Sequence, residues 1–325
     1  MQRNSVVVNG VEISYVEEGE GPLALLLHGF PESGEATYRH VIPALAAAGY
    51  RAVAPNIRGF APSALPADGS MRLADLVADA NALHEALGGG PDAVVIGHDW
   101  GAATAWAVAH TAPERWARVV ASDVPPLAFF GEYANTYEGI ERLNHFWFFQ
   151  MDMADEVLAA DDMAWVRRVM QEKWTADAYD ATADFEAVRK ALGEPARLRA
   201  AIDLYRMNFA PKEMGTPEWA ARHAALWGEV PVRPTLYLHG TEDKSVVLDE
   251  AGLAAIGASL SKGAEAAFIE GAGHLVPAEK PAEYVERVPS PSWPRRCEAT
   301  PCCQCVKCDA CDGSCRTLPF RPARA

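Results

Sequence analysis

Apolar and polar positions recur with two different periods along this chain, and the change of period divides it. Ser5–Val8 and Glu12–Glu17 read as two short strands around Asn9-Gly10, a residue pair suited to a tight hairpin. Leu23–Leu27 is an unbroken apolar run, as expected of a strand covered on both faces. Helical spacing follows over Arg39–Ala48, closed by Gly49, and Arg51–Pro55 reads as the next strand. Leu73–Leu87 predicts a helix stopped by Gly88-Gly89-Gly90. Ala93–Gly97 is strand-like, Gly101–Ala112 is helical until Pro113, and Val119–Ser122 is strand-like again. Further on, Thr235–His239 and Ala266–Ile269 are strands around a helix at Ala251–Leu260, and Pro281–Val288 starts a last helix that stops at Pro289. This alternation predicts an α/β fold, a mostly parallel eight-stranded sheet with helices on both faces.

The period turns purely helical between about Pro125 and Gly215, and Trp, Phe, Tyr and Met become frequent there. Phe146-Trp147-Phe148-Phe149 lies in this stretch. Its place after the sixth strand predicts a helical lid over the end of the sheet, an apolar cover that excludes water. The expected organisation is therefore a first core segment (residues 1–124), a lid (125–215), a second core segment (216–288) and a tail (289–325).

Composition narrows the function classes. The 325 residues are 50% hydrophobic, ample for a core, and carry a formal net charge of −15 without any Lys/Arg run, which argues against nucleic acid. No basic-then-apolar leader and no apolar run of roughly 20 residues is present, so a cytoplasmic protein without a membrane span is expected. All seven cysteines fall between Cys297 and Cys315. The body thus needs no disulfide. Cys305, Cys308, Cys311 and Cys315 match the spacing of bacterial iron–sulfur ligand runs, and zinc is a second option. Arg316 follows where Pro is usual, and Pro- and Arg-rich sequence surrounds the motif. The tail is therefore read as disordered or aberrant, with no metal and no cofactor.

The densest chemistry lies at Gly97-His98-Asp99-Trp100-Gly101, where a strand pattern ends and an alanine-rich helix begins. This is the layout of a nucleophile elbow, with Asp99 in place of the usual serine. A carboxylate there can displace at a strained or activated carbon and leave an alkyl ester; the plainer alternative is an Asp capping the helix. His274, in Gly271-Ala272-Gly273-His274, follows the last strand and is the candidate base. Asp243 follows the seventh strand and is the candidate acid, with Asp123, after the sixth, as the alternative. His28-Gly29-Phe30-Pro31 ends a buried strand; the backbone N–H groups of Phe30 and Trp100 are the candidate oxyanion donors, Pro31 stiffens the turn, and His28 is read as structural.

Together these pieces resemble the epoxide hydrolases of the α/β-hydrolase superfamily: His28-Gly29-Phe30-Pro31-Glu32-Ser33, Arg58-Gly59-Phe60, Gly97-His98-Asp99-Trp100-Gly101, Gly240-Thr241-Glu242-Asp243 and Gly273-His274. The likeness covers about residues 5–288. It implies that a small apolar epoxide is opened with water to a vicinal diol, through an ester on Asp99 that water activated by His274 hydrolyses. The family uses two lid tyrosines to hold the epoxide oxygen. Ala201–Asn208 resembles the second tyrosine motif and makes Tyr205 the ring-opening acid; at the first position, five residues before Gln150, this chain has His145. Trp147, Phe149 and Pro31 are expected around the substrate, and the protein is expected to be a monomer or homodimer. A haloalkane dehalogenase, with Trp100 and a lid Trp (Trp147 or Trp165) holding halide, and a binding homologue without turnover are the alternatives.

Overall fold

The computed structural model of the chain describes residues 1–227, 233–261 and 264–288. Eight strands form one sheet: β1 (Gln2–Val8), β2 (Val11–Glu18), β3 (Leu23–Leu27), β4 (Arg51–Pro55), β5 (Val94–His98), β6 (Arg118–Ser122), β7 (Thr235–Gly240) and β8 (Glu265–Ile269), in the order β1-β2-β4-β3-β5-β6-β7-β8. The hairpin β1–β2 and the pair β2–β4 are antiparallel; every other pair is parallel. This is the fold the sequence predicted. β3 and β5 sit mid-sheet and are buried at every position, which explains their continuous apolar runs.

The helix Trp100–Thr111 behind β5 is buried from Trp100 to Ala109. Its alanines let it lie close against the sheet and the helix Leu73–Ala86, while Trp106 fills the space beside Tyr237 and donates its indole N–H to Val124 O at 2.9 Å. That bond pins the chain where it leaves β6. A fully buried side chain of this size contributes roughly 1.5–3 kcal/mol.

One predicted helix is corrected. The helix expected over Arg39–Ala48 is present as Val41–Ala47, and a separate short helix, Gly34–Tyr38, precedes it. Pro43 has no N–H to donate, so the second helix starts late enough to place it in the first turn. The first is capped by Ser33, whose Oγ accepts from Ala36 N–H. The four-residue helix Val276–Glu279 is too short to leave a periodic signal in the sequence.

Among the described residues between β6 and β7 the regular elements are helices, among them Asn144–Phe148, Thr182–Leu192 and Pro195–Asn208. Their apolar side chains, including Phe149, Leu158, Val166, Ile202 and Leu204, join Phe30, Trp100 and Leu275 in one cluster over the carboxyl ends of the strands. The cysteine motif and the rest of 289–325 lie outside the described residues. Among the described residues no helix is long and apolar enough to cross a membrane.

Candidate active site

Asp99 stands at the turn between β5 and the helix that starts at Trp100, with φ 52° and ψ −120°. A non-glycine residue there is strained and persists only where its surroundings fix it. The fit comes from Gly101, where a Cβ would run into the carbonyls of Leu27 and His28. One Asp99 oxygen, Oδ1, accepts from Phe30 N–H at 2.7 Å; the other, Oδ2, lies 3.5 Å from His274 Nε2. The peptide bond Phe30–Pro31 is cis. Trp100 N is the first N–H of its helix, one of those without an intrahelical acceptor.

The choice between the two acids is geometric. Asp243 Oδ2 is 2.8 Å from His274 Nδ1, and its Oδ1 accepts from Ser245 and Val246 N–H. Asp123 Oδ1 instead accepts from Gly240 N–H at 3.2 Å, and its Oδ2 has no hydrogen-bond partner. Burial opposes charge on Asp243, but the His274 imidazole beside it holds its carboxyl below the usual range. The same burial, without that bond, drives Asp123 well above it despite the nearby His98. Asp243 is thus the charged partner of His274.

His98, quoted in the elbow motif but given no role by sequence reasoning, is fully buried under this pair. Its Nδ1 is 2.9 Å from Glu32 Oε2, and its Nε2 lies 2.7 Å from His274 O and 3.5 Å from Asp123 Oδ2. Desolvation disfavours its charge, yet Glu32 and Asp123 push it up to about 9. His28 is the opposite case. It accepts from Ile57 N–H through Nε2, Nδ1 lies against Gly29 O at 2.8 Å, and burial pushes it down to about 4. Its structural reading stands.

Asp99 and His274 open into a cavity of about 40 Å³ whose wall is mostly aromatic and aliphatic, with Phe30, Trp100, Phe130, Phe146, Trp174 and Phe209, and with Ser245 as a further polar group. The helical insertion brings His145 and Tyr205 to the same wall, their rings 5.5 Å apart at the centroids. Tyr205 meets Phe30, Trp100, Phe146 and Phe149 edge to face. Burial and the Asp99 charge push its phenol well above the ordinary value, against a hydrogen bond from Trp100. Burial pushes His145 down to about 3, so its imidazole is neutral at pH 7. The expected substrate neighbours need correcting. Trp147 is 37% exposed and outside the cavity wall, because the short helix Asn144–Phe148 turns His145 inward and the residue two places on outward. Phe149 and Pro31 are also outside the wall; Phe149 backs Phe30, Tyr205 and His145. Phe146 and Trp174 take the places given to them.

Comparison with known proteins shows the family of the fold. Residues 22–281 match the family model described as alpha/beta hydrolase fold. Epoxide hydrolase A of Mycobacterium tuberculosis is 30% identical over 314 residues, 86% of this chain and 93% of that protein. An epoxide hydrolase of known structure from an endophytic Streptomyces is 30% identical with a TM-score of 0.71, covering 88% of this chain and 93% of the other. Epoxide hydrolase B of M. tuberculosis is 47% identical over 107 residues, 33% of this chain. That match and the one to an epoxide hydrolase of Caballeronia sordidicola span only 30% and 36% of those relatives' lengths.

Proposed function

From the premise that the chain belongs to the alpha/beta hydrolase fold family, we propose that it hydrolyses small apolar epoxides to vicinal diols through an ester on Asp99. One observation carries the reading: an elbow carboxylate faces a His274–Asp243 pair in a largely apolar cavity whose wall also includes Tyr205 and His145. The named relatives support the same class.

Asp99 Oδ2 attacks an epoxide carbon, and the C–O bond breaks as Tyr205 donates its proton to the leaving oxygen, with neutral His145 as second donor. A phenol with a raised pKa keeps its proton until the oxygen becomes basic enough to take it. Burial disfavours the His274 imidazolium, but Asp243 and Asp99 together hold its pKa well above the ordinary value, so the resting site contains an ion pair. Ester formation removes the Asp99 charge and with it part of that support. His274 then gives up its proton, which returns to the tyrosinate, and becomes the base. It takes a proton from water, the hydroxide adds to the ester carbonyl, and the Phe30 and Trp100 N–H groups hold the oxyanion. Collapse returns Asp99 as carboxylate, His274 as imidazolium and the diol. In this reading residues 125–215 are the lid, keeping other water from the ester.

Single-turnover reaction in ¹⁸O-labelled water, with mass spectrometry of the Asp99 peptide, tests the scheme. Label in Asp99 and diol release from an epoxide panel are expected. Turnover without label refutes the ester, and halide release from haloalkanes with no epoxide consumption replaces the epoxide by a haloalkane.

A further inference from the structure

We propose that Glu279 is a positioning residue for His274 and the point at which the helical insertion is tied to the base. This rests on the epoxide hydrolase reading of the site. The loop that carries His274 has no regular secondary structure of its own, so its N–H groups need acceptors from elsewhere. One carboxylate supplies them. Glu279 Oε2 accepts from Gly273 N–H at 2.9 Å and Oε1 from Leu275 N–H at 2.9 Å, so the N–H groups of the residues before and after His274 end on the same side chain. Oε2 also accepts from Ala176 N–H of the insertion, again at 2.9 Å.

The remaining backbone groups of His274 are held as well. Its N–H donates to Trp174 O at 2.9 Å, and its carbonyl meets His98 Nε2. The base loop is therefore tied to residues 174–176 by one backbone bond and by the Glu279 carboxylate, and Trp174 is itself part of the cavity wall. A Cβ on Gly273 would strike the backbone of Thr175 and Ala176, so this contact needs a glycine. Lys244, next to Asp243, donates to Thr175 O at 3.2 Å and bonds Asp177 at 2.6 Å, so the acid loop grips the same segment. Glu279 touches no reacting atom. It fixes the height of the loop, and so the placement of His274 Nε2 on the ester carbonyl. Attack by Asp99 depends on the elbow and the donor pair instead.

The two half-reactions separate this role from plain structural support. Glu279→Gln keeps the length but leaves one acceptor for three donors. In single-turnover quench-flow with mass spectrometry, the alkylation constant should stay within about twofold of wild type. The ester hydrolysis constant should fall on the order of 10²-fold, as for a displacement of about 1 Å at a reacting group. Ester should then accumulate on Asp99 and steady-state KM should drop with kcat. Glu279→Asp, which keeps the charge but cannot span the three donors, should show the same split and serves if the glutamine variant does not fold. Unchanged hydrolysis, or equal falls in both constants, overturns the proposal. Absence of any ester in wild-type protein overturns the epoxide reading on which it stands.

Discussion

The two walls of the cavity are held by different forces. On the sheet side, Asp99, His274 and Asp243 are fixed by backbone hydrogen bonds, buried ion pairs and a turn that admits no Cβ at Gly101. On the insertion side, His145 and Tyr205 are held mainly by ring edges from Phe30, Phe146, Phe149 and Trp174. Hydrogen bonds have direction and set an atom to a few tenths of an ångström, whereas apolar contacts tolerate substitution of similar volume. The sheet side should respond to isosteric change and the insertion side to change of volume.

The largest effect is expected where chemistry and fixation coincide. Asp99→Asn should abolish diol formation, a loss on the order of 10⁴-fold or more, with no labelled peptide. Next, the two acids should be unequal. Asp243→Asn should cost on the order of 10⁴-fold in kcat, while Asp123→Asn, which alters a carboxyl bonded to Gly240 N–H and not to His274, should cost much less. Equal losses in steady-state assays would show that His274 uses both. On the insertion side, Tyr205→Phe should lower the alkylation constant by on the order of 10²-fold and His145→Phe by less, whereas Asp99 chemistry in each survives.

Stability against pH probes the same contrast. A free imidazole titrates near 6.5. His145 and His28, pushed down to about 3 and about 4, stay neutral in the folded state, so stability is lost as pH falls below about 6.5 and the unfolded chain takes up protons. His98 is pushed up to about 9, so its contribution is present below 6.5 and is lost as pH rises through about 9. Urea midpoints between pH 3 and 10 should peak near neutrality. Replacing His98 by Gln should reduce the alkaline decline by about 1–3 kcal/mol, leaving the part due to His274. The smallest effect belongs to Trp147→Ala, within about 0.5 kcal/mol by urea titration and without change in kcat.

Much of the sheet side was legible in the sequence, because period, glycines and chain order reflect backbone constraints that act locally. Strand runs such as Leu23–Leu27 and the Gly97–Gly101 turn follow from burial and sterics over a few residues. The arrangement within the insertion was less legible. Trp147 and Phe146 are neighbours with equal apolar character, and only the direction of a short helix decides which lines the cavity. Glu279 was silent for another reason: a carboxylate four residues past Leu275 looks like any exposed helix residue until three backbone donors converge on it. Asp243 and Asp123 could not be ranked from chain order, since the deciding distance is between loops of different strands.

Gln150 adds a consequence of its own. Its amide N–H₂ donates to Phe146 O and to Tyr205 O, at 3.2 and 3.1 Å, and Arg206 donates to Phe149 O at 2.7 Å. The helix bearing His145 and the helix bearing Tyr205 are thereby buckled together. In the proposed reaction, a displacement that takes one of the two donors off the cavity would take the other with it.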